Sequence, residues 1–195
     1  MRQPAERIVG KKGDIRQLRP SDLPRFRDHL LRLDQESRRD RFNGATDDSF
    51  LDTYARRCFT DGTTVVGYIE NEQVVGAAEI HERPEDEEPT AEIAFSVERP
   101  FQNRGIGGRL FERLIVHALA LGYLKLRVTT HAQNAAMKTL ARHFDATLKF
   151  EEGEAVGLIE LDPMLEPGLR RSARVFSRSA SGLLEPKQRL AATVD

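Results

Sequence analysis

Between an apolar strand ending at Val97 and an amphipathic helix, the chain reads Gln102-Asn103-Arg104-Gly105-Ile106-Gly107-Gly108. A helix start leaves about four backbone N–H groups without partners and carries roughly half a positive charge. Glycines there let an anion approach those groups with no Cβ in the way. The turn therefore predicts a phosphate site. Gly108 is followed by Arg109-Leu110, not by the Lys-Ser/Thr of a nucleoside-triphosphate loop. Leu110 also stands where a dinucleotide-binding fingerprint needs a third small residue. A ligand-free strand–helix turn has the same bare Gly-x-Gly, so the surrounding elements must decide.

Other residues with reactive side chains are scattered. His81 and His131 flank strand ends and are alternative proton acceptors, although lone histidines are more often surface or packing residues. Glu82–Glu88 holds five carboxylates and Pro84, and reads as a solvated loop able to attract a cation. Cys58 lies among apolar neighbours and reads as packing, not as a nucleophile. No Cys/His cluster has metal-ligand spacing, so no metal is expected.

The elements that must position these residues follow from hydrophobic period. Asp14–Leu18 reads as a short strand. Ser21-Asp22-Leu23-Pro24 opens a helix with Leu23, Phe26, Leu30 and Leu33 inward. Ser37-Arg38-Arg39-Asp40 resembles a capping box starting a second helix toward Phe42, and Phe50–Phe59 continues helically with Leu51, Tyr54 and Phe59 inward. Thr63–Ile69 and Val74–His81 then form a hairpin over Asn71-Glu72. Ala91–Val97 is a further strand, with Ile93, Phe95 and Val97 on one side and Glu92, Ala94 and Ser96 on the other. The helix after the glycine turn carries the stripe Ile106, Leu110, Phe111, Leu114, Ile115 and Ala118, with Gly122 as its C-cap. Leu124–Thr129 is a strand, Asn134–His143 a helix, and Thr147–Phe150 with Val156–Leu161 a closing hairpin. Hairpin before the turn, strand after it: the pattern predicts an α/β (α+β) protein and not a run of parallel βαβ units.

Three segments follow: a loose N-terminus at 1–13, one domain at 14–162 and a basic, mobile tail at 163–195. In the tail six basic residues face three acidic ones, a balance of +3, which leaves −4 for the remainder of a chain of net charge −1. That charge gives no global reason to expect nucleic acid or an anionic membrane as partner. The start has no apolar signal core, and no run approaches ~18 apolar residues. One cysteine permits no intrachain disulfide. A soluble, cytoplasmic protein is the expectation.

With these elements in order, the chain resembles the GNAT superfamily of acyl-CoA N-acyltransferases over roughly Asp14–Leu161. Gln102-Asn103-Arg104-Gly105-Ile106-Gly107 matches that family's Gln/Arg-x-x-Gly-x-Gly/Ala motif. The Asn134-x-x-Met137-x-x-Leu140-Ala141 pattern, with Glu36-Ser37 and Arg41-Phe42, resembles the acetyltransferase domain of bacterial protein-lysine acetyltransferases. The resemblance implies acetyl-CoA as cosubstrate and a mixed, mostly antiparallel sheet whose two central strands, Ala91–Val97 and Leu124–Thr129, run parallel and splay apart. Pantetheine would lie in the gap on the backbone of Phe95, Ser96 and Val97. Gln102, Asn103 and the amides from Arg104 through Gly105, Ile106, Gly107 and Gly108 to Arg109 would hold the diphosphate, and Asn134 the pantetheine arm. Asn134 is equally a good helix N-cap.

The same resemblance implies direct attack of an amine on the thioester. A lysine-like amine has a pKa of about 10.4 and arrives protonated, so a carboxylate must take its proton. Ala91-Glu92-Ile93-Ala94-Phe95 resembles the strand that carries a glutamate general base in protein-lysine acetyltransferases, which assigns that role to Glu92 on a half-buried, desolvating strand. The amide of Val97 would stabilise the oxyanion. Many family members place a tyrosine acid seven residues after the asparagine; here Ala141 stands there, and Phe144-Asp145-Ala146 replaces the usual Gly-Phe. The acceptor implied is a protein lysine. A small amine (polyamine, amino acid or aminoglycoside) and a non-catalytic acyl-CoA-binding module are the alternatives.

Overall fold

A computed structural model describes residues 13–60, 62–151, 153–162 and 164. The 163–195 tail apart from Met164, and all but the last residue of the 1–13 segment, lie outside the described residues. The chain divides into two units, Met1–Leu161 and Asp162–Asp195, and the account below concerns the first.

Strand β1 is Asp14–Gln17, and helices α1 (Leu23–Arg32), α2 (Gln35–Phe42) and α3 (Asp48–Arg57) follow. Then come β2 (Thr64–Glu70), β3 (Gln73–Glu82), β4 (Thr90–Val97), α4 (Ile106–Ala120), β5 (Lys125–His131), α5 (Ala135–His143), β6 (Thr147–Glu151) and β7 (Glu154–Glu160). The seven strands form one sheet in the order β1-β2-β3-β4-β5-β7-β6. Every neighbouring pair is antiparallel except β4 and β5. The predicted mixed, mostly antiparallel sheet is therefore the observed one.

Alternation along β3, shifted by one residue at a bulge opposite Tyr68 and Ile69, explains the layers. Val74 and Ala77 join Phe26, Leu30, Leu51 and Ala55 of α1 and α3 in one apolar cluster. Val75, Ala78 and Ile80 join Leu110, Phe111, Leu114 and Ile115 of α4 in another. Successive side chains of a strand point to opposite faces, so β3 is buried on both. Phe111 lies flat between Phe95 and Phe144, with centroids 4.9 and 4.1 Å away.

Helix ends depart from the sequence reading in two places. The cap of α2 is Asp34, whose carboxylate accepts the amide of Ser37 at 3.0 Å, so the helix starts before the predicted Ser37–Asp40 box. At α1, Pro20–Asp22 forms a 3-10 turn, and the carboxylate of Asp22 is spent on Arg16 and Arg25. The C-terminus of α4 follows the glycine reading closely. Gly122 is left-handed (φ 85°) just past the cap Leu121, and the amides of Gly122 and Tyr123 return to Leu119 and Ala118. Asp145 takes the corresponding left-handed position after α5 (φ 62°), which settles the geometry of the Phe144-Asp145-Ala146 turn without a glycine. No helix of the described residues is long and apolar enough to cross a membrane.

Candidate active site

Strands β4 and β5 are in register only at Thr90↔Lys125, Ala91↔Leu126 and Glu92↔Arg127. Beyond that point they part, as the sequence reading requires. Glu92 sits at the fork. Past it, the amide of Thr129 has no β4 carbonyl to meet and donates instead to Glu92 Oε1 at 3.1 Å. Glu92 Oε2 accepts from Arg83 at 3.2 Å, and Arg127 Nε approaches to 3.6 Å. Glu92 is half-buried, as the sequence reading expects. It bridges the split sheet and is flanked by two guanidinium groups.

A cleft of about 120 Å³ opens beside the fork, lined by Glu92, Phe95, Thr129 and Asn134 and, from α2, by Asp40 and Arg41. Its β4 wall has a defined backbone polarity. The amide of Glu98 donates to Val75 at 3.0 Å, which places Ser96 and Ala94 in the same phase, bonded toward β3. Phe95 and Val97 lie in the opposite phase, so their backbone groups face the gap. Ser96 is brought elsewhere: it is buried, and its hydroxyl meets His29 Nε2 at 2.9 Å. His29 Nδ1 in turn meets Glu98 at 3.0 Å, and burial lowers the pKa of the imidazole, keeping it neutral.

The turn toward α4 has two left-handed residues, Asn103 (φ 57°) and Gly105 (φ 73°). The first intrahelical bond runs from the amide of Arg109 to the carbonyl of Gly105 at 3.2 Å. Among the described residues, the amides of Asn103 through Gly108 meet no protein acceptor. A Cβ at Gly105 or Gly108 would touch nothing within 4 Å, and at Gly107 only Leu140 at 3.5 Å. Packing therefore does not demand glycine at 107 or 108, and the space over the amides is open to an anion. This geometry fits a diphosphate carried on the amides of residues 103–108; Arg109 N–H drops out of that set because the helix uses it.

Side chains of the turn are otherwise engaged. Gln102 Nε2 donates to Val97 O at 3.0 Å and to Ser37 Oγ at 3.2 Å, so it latches the turn onto β4 and α2. Arg104 pairs with Glu70 at 3.0 Å. Arg109 donates to the carbonyl of Gly13 at 3.2 Å and lies over Tyr68. Asn134 is the α5 cap: its Oδ1 accepts from Met137 N at 2.9 Å, and its Nδ2 donates to Thr130 Oγ1 at 3.0 Å. Ala141, where a tyrosine acid was sought, is buried in the core beside Phe144.

Glu79 was missed by sequence reasoning. This fully buried carboxylate on β3 accepts from Arg41 at 2.7 Å and from Tyr54, and meets His81 Nε2 at 3.1 Å. Burial, the largest single influence, would raise its pKa, but Arg41, His81 and Tyr54 together outweigh it and hold the carboxyl well below the carboxylate range. His81 lines the cleft, with Nδ1 meeting Thr63 at 3.3 Å, so both ring nitrogens face protein groups. His131 meets Arg39 at 3.5 Å and the amide of Gln133 at 3.4 Å, and does not line the cleft. Cys58 is buried against the same network, and burial pushes its thiol up, as befits packing. The signal for Glu79 was present: a lone carboxylate within the small apolar run Val74-Val75-Gly76-Ala77-Ala78.

A split sheet with a glycine-headed helix at the split defines a class, the transferases that seat a long phosphate-bearing acyl carrier between two strands. The model of the acetyltransferase (GNAT) family matches residues 27–146, and the chain belongs to that family of N-acetyltransferases, whose cosubstrate is acetyl-CoA. No curated protein matches the sequence. Among solved structures, the GNAT domain of PAT from S. lividans superposes with a TM-score of 0.64 at 19% identity, over 76% of this chain and 90% of that one. A putative acetyltransferase from Salmonella typhimurium, solved with acetyl-CoA, gives 0.59 at 20% identity over 80% and 98%. A GNAT phosphinothricin acetyltransferase from Sinorhizobium meliloti, also in complex with acetyl-CoA, gives 0.58 at 16% over 77% and 89%. At these identities the likeness is one of fold.

Proposed function

We propose that this chain is a cytoplasmic enzyme that moves the acetyl group of acetyl-CoA onto the side-chain amine of a protein lysine. The observation that carries the reading is the fork: β4 and β5 part at Glu92, and unpaired amides stand at residues 103–108. In this reading those amides take the diphosphate, and the gap-facing backbone of Phe95 and Val97 takes the pantetheine arm. Glu92, directly or through one water, receives the proton of the attacking ammonium. The amine nitrogen then bonds to the thioester carbon, and the amide of Val97 donates to the oxygen that gains charge. Collapse breaks the C–S bond, and the nitrogen gives up its second proton to solvent. The thiolate leaves without a dedicated acid and is protonated by solvent. A cleft of about 120 Å³ supports a slender acceptor. A space of that size suits an unbranched amine arm better than an aminoglycoside ring.

The test is thiol release from acetyl-CoA by the full chain with a lysine peptide, spermidine, an amino acid or an aminoglycoside as acceptor, with products read by mass spectrometry. A lysine peptide is expected to be the best acceptor, and Glu92→Gln to lower kcat by about 100-fold or more while leaving acetyl-CoA affinity unchanged. Preference for a small amine would move the acceptor assignment. Full turnover in the variant would remove Glu92 as base, and absence of transfer to every amine would leave a binding module.

A further inference from the structure

The acceptor must be recognised as well as deprotonated, and the charges around the cleft divide that work. This inference rests on the fork being the transfer site. Glu92 is shared among the Thr129 amide, Arg83 and Arg127. Arg41 is turned onto Glu79 and Tyr54. His81 is bound to Glu79 and Thr63. Asp40 differs: it lines the same cleft from α2, half-buried. Among the described residues its carboxylate makes no hydrogen bond or ion pair. The charged groups that act on it from nearby are Glu36, Asp34 and Arg39 on its own side and His131 from β5. Burial, followed by Glu36, raises its pKa, and the weaker pull of His131 and Arg39 does not offset them.

We propose that Asp40 is the acceptor-binding residue: its carboxylate receives the ammonium of an unbranched primary amine and holds it across the cleft from Glu92. A carboxylate without a contact ion pair in a small, partly apolar cleft selects a cation by a charge-assisted hydrogen bond. A neutral isostere that cannot supply the charge would be rejected. The pairing separates two roles in one site, with Asp40 binding the charged acceptor and Glu92 taking its proton.

The experiment uses the full chain saturated with coenzyme A and two probes of nearly equal shape, n-butylammonium and n-butanol, titrated by amide NMR. The wild type is expected to bind butylammonium at least ~10-fold more tightly than butanol, with shifts at residues 40, 129 and 134. Asp40→Asn is expected to lose that preference while its coenzyme A affinity stays unchanged. In turnover the same variant should raise the KM for a lysine peptide about 10-fold with kcat nearly unaltered, a split that general loosening of the fold would not produce. Equal butylammonium binding by the variant, or no charge preference in the wild type, overturns the proposal. If coenzyme A itself fails to bind the wild type, the transfer site falls and the proposal with it.

Discussion

The turn at 103–108 and the network beneath α2 and α3 treat polar groups in opposite ways. At the turn, consecutive backbone amides stand open to solvent with no protein acceptor. Beneath the helices, Arg41, Tyr54, Glu79 and His81 are buried or half-buried and bonded to one another. Exposed donors without partners cost little in water and are available to a ligand. Buried charge is tolerated only when paired. The first region is built to bind, and the second to fix α2 and α3 on the sheet so that the cleft keeps its wall.

If the division is right, the two regions fail differently when altered. The largest effect is expected from Glu79→Gln, which leaves Arg41 buried beside a neutral group. It should cost about 3–5 kcal/mol of stability in urea unfolding. A loss under 1 kcal/mol, by contrast, would mean the pair does not hold the wall. Smaller, and of a different kind, is Gly108→Glu. Its Cβ meets no atom within 4 Å, so the fold should persist. A carboxylate over the open amides should nonetheless weaken coenzyme A binding about 100-fold, roughly 2.7 kcal/mol. Unchanged affinity would argue against a diphosphate there. The smallest effect is graded by pH. Because the folded pKa of Glu79 lies below its ordinary 4.5, its contribution is complete above that value and is lost as pH falls toward the folded one. The stability gap between wild type and Glu79→Gln should therefore narrow in acid; a gap that widens would reverse the assigned charge.

Local chemistry made much of this readable in advance. The turn, its helix and the apolar stripe of α4 depend on glycine conformation and a 3.6-residue period, both visible within twenty residues. The fork itself came from the family resemblance, since nothing local to Ala91–Val97 tells a paired strand from a parting one. What escaped depends on distant partners. Arg83 and Arg127 flank Glu92, and only the fold brings them together. Asp40 looked like part of a capping box until Asp34 was found to cap α2, which frees Asp40 to face the cleft. Glu79 hid in a strand whose other inward residues are small and apolar.

Residue-resolved hydrogen exchange, with and without saturating acetyl-CoA, addresses the central claim most directly. Amides 103–108 should exchange at nearly free-chain rates in the unliganded protein and become strongly protected in the complex, together with those of Phe95 and Val97. Fast exchange that persists across 103–108 at saturation, with protection arising elsewhere, would contradict the account.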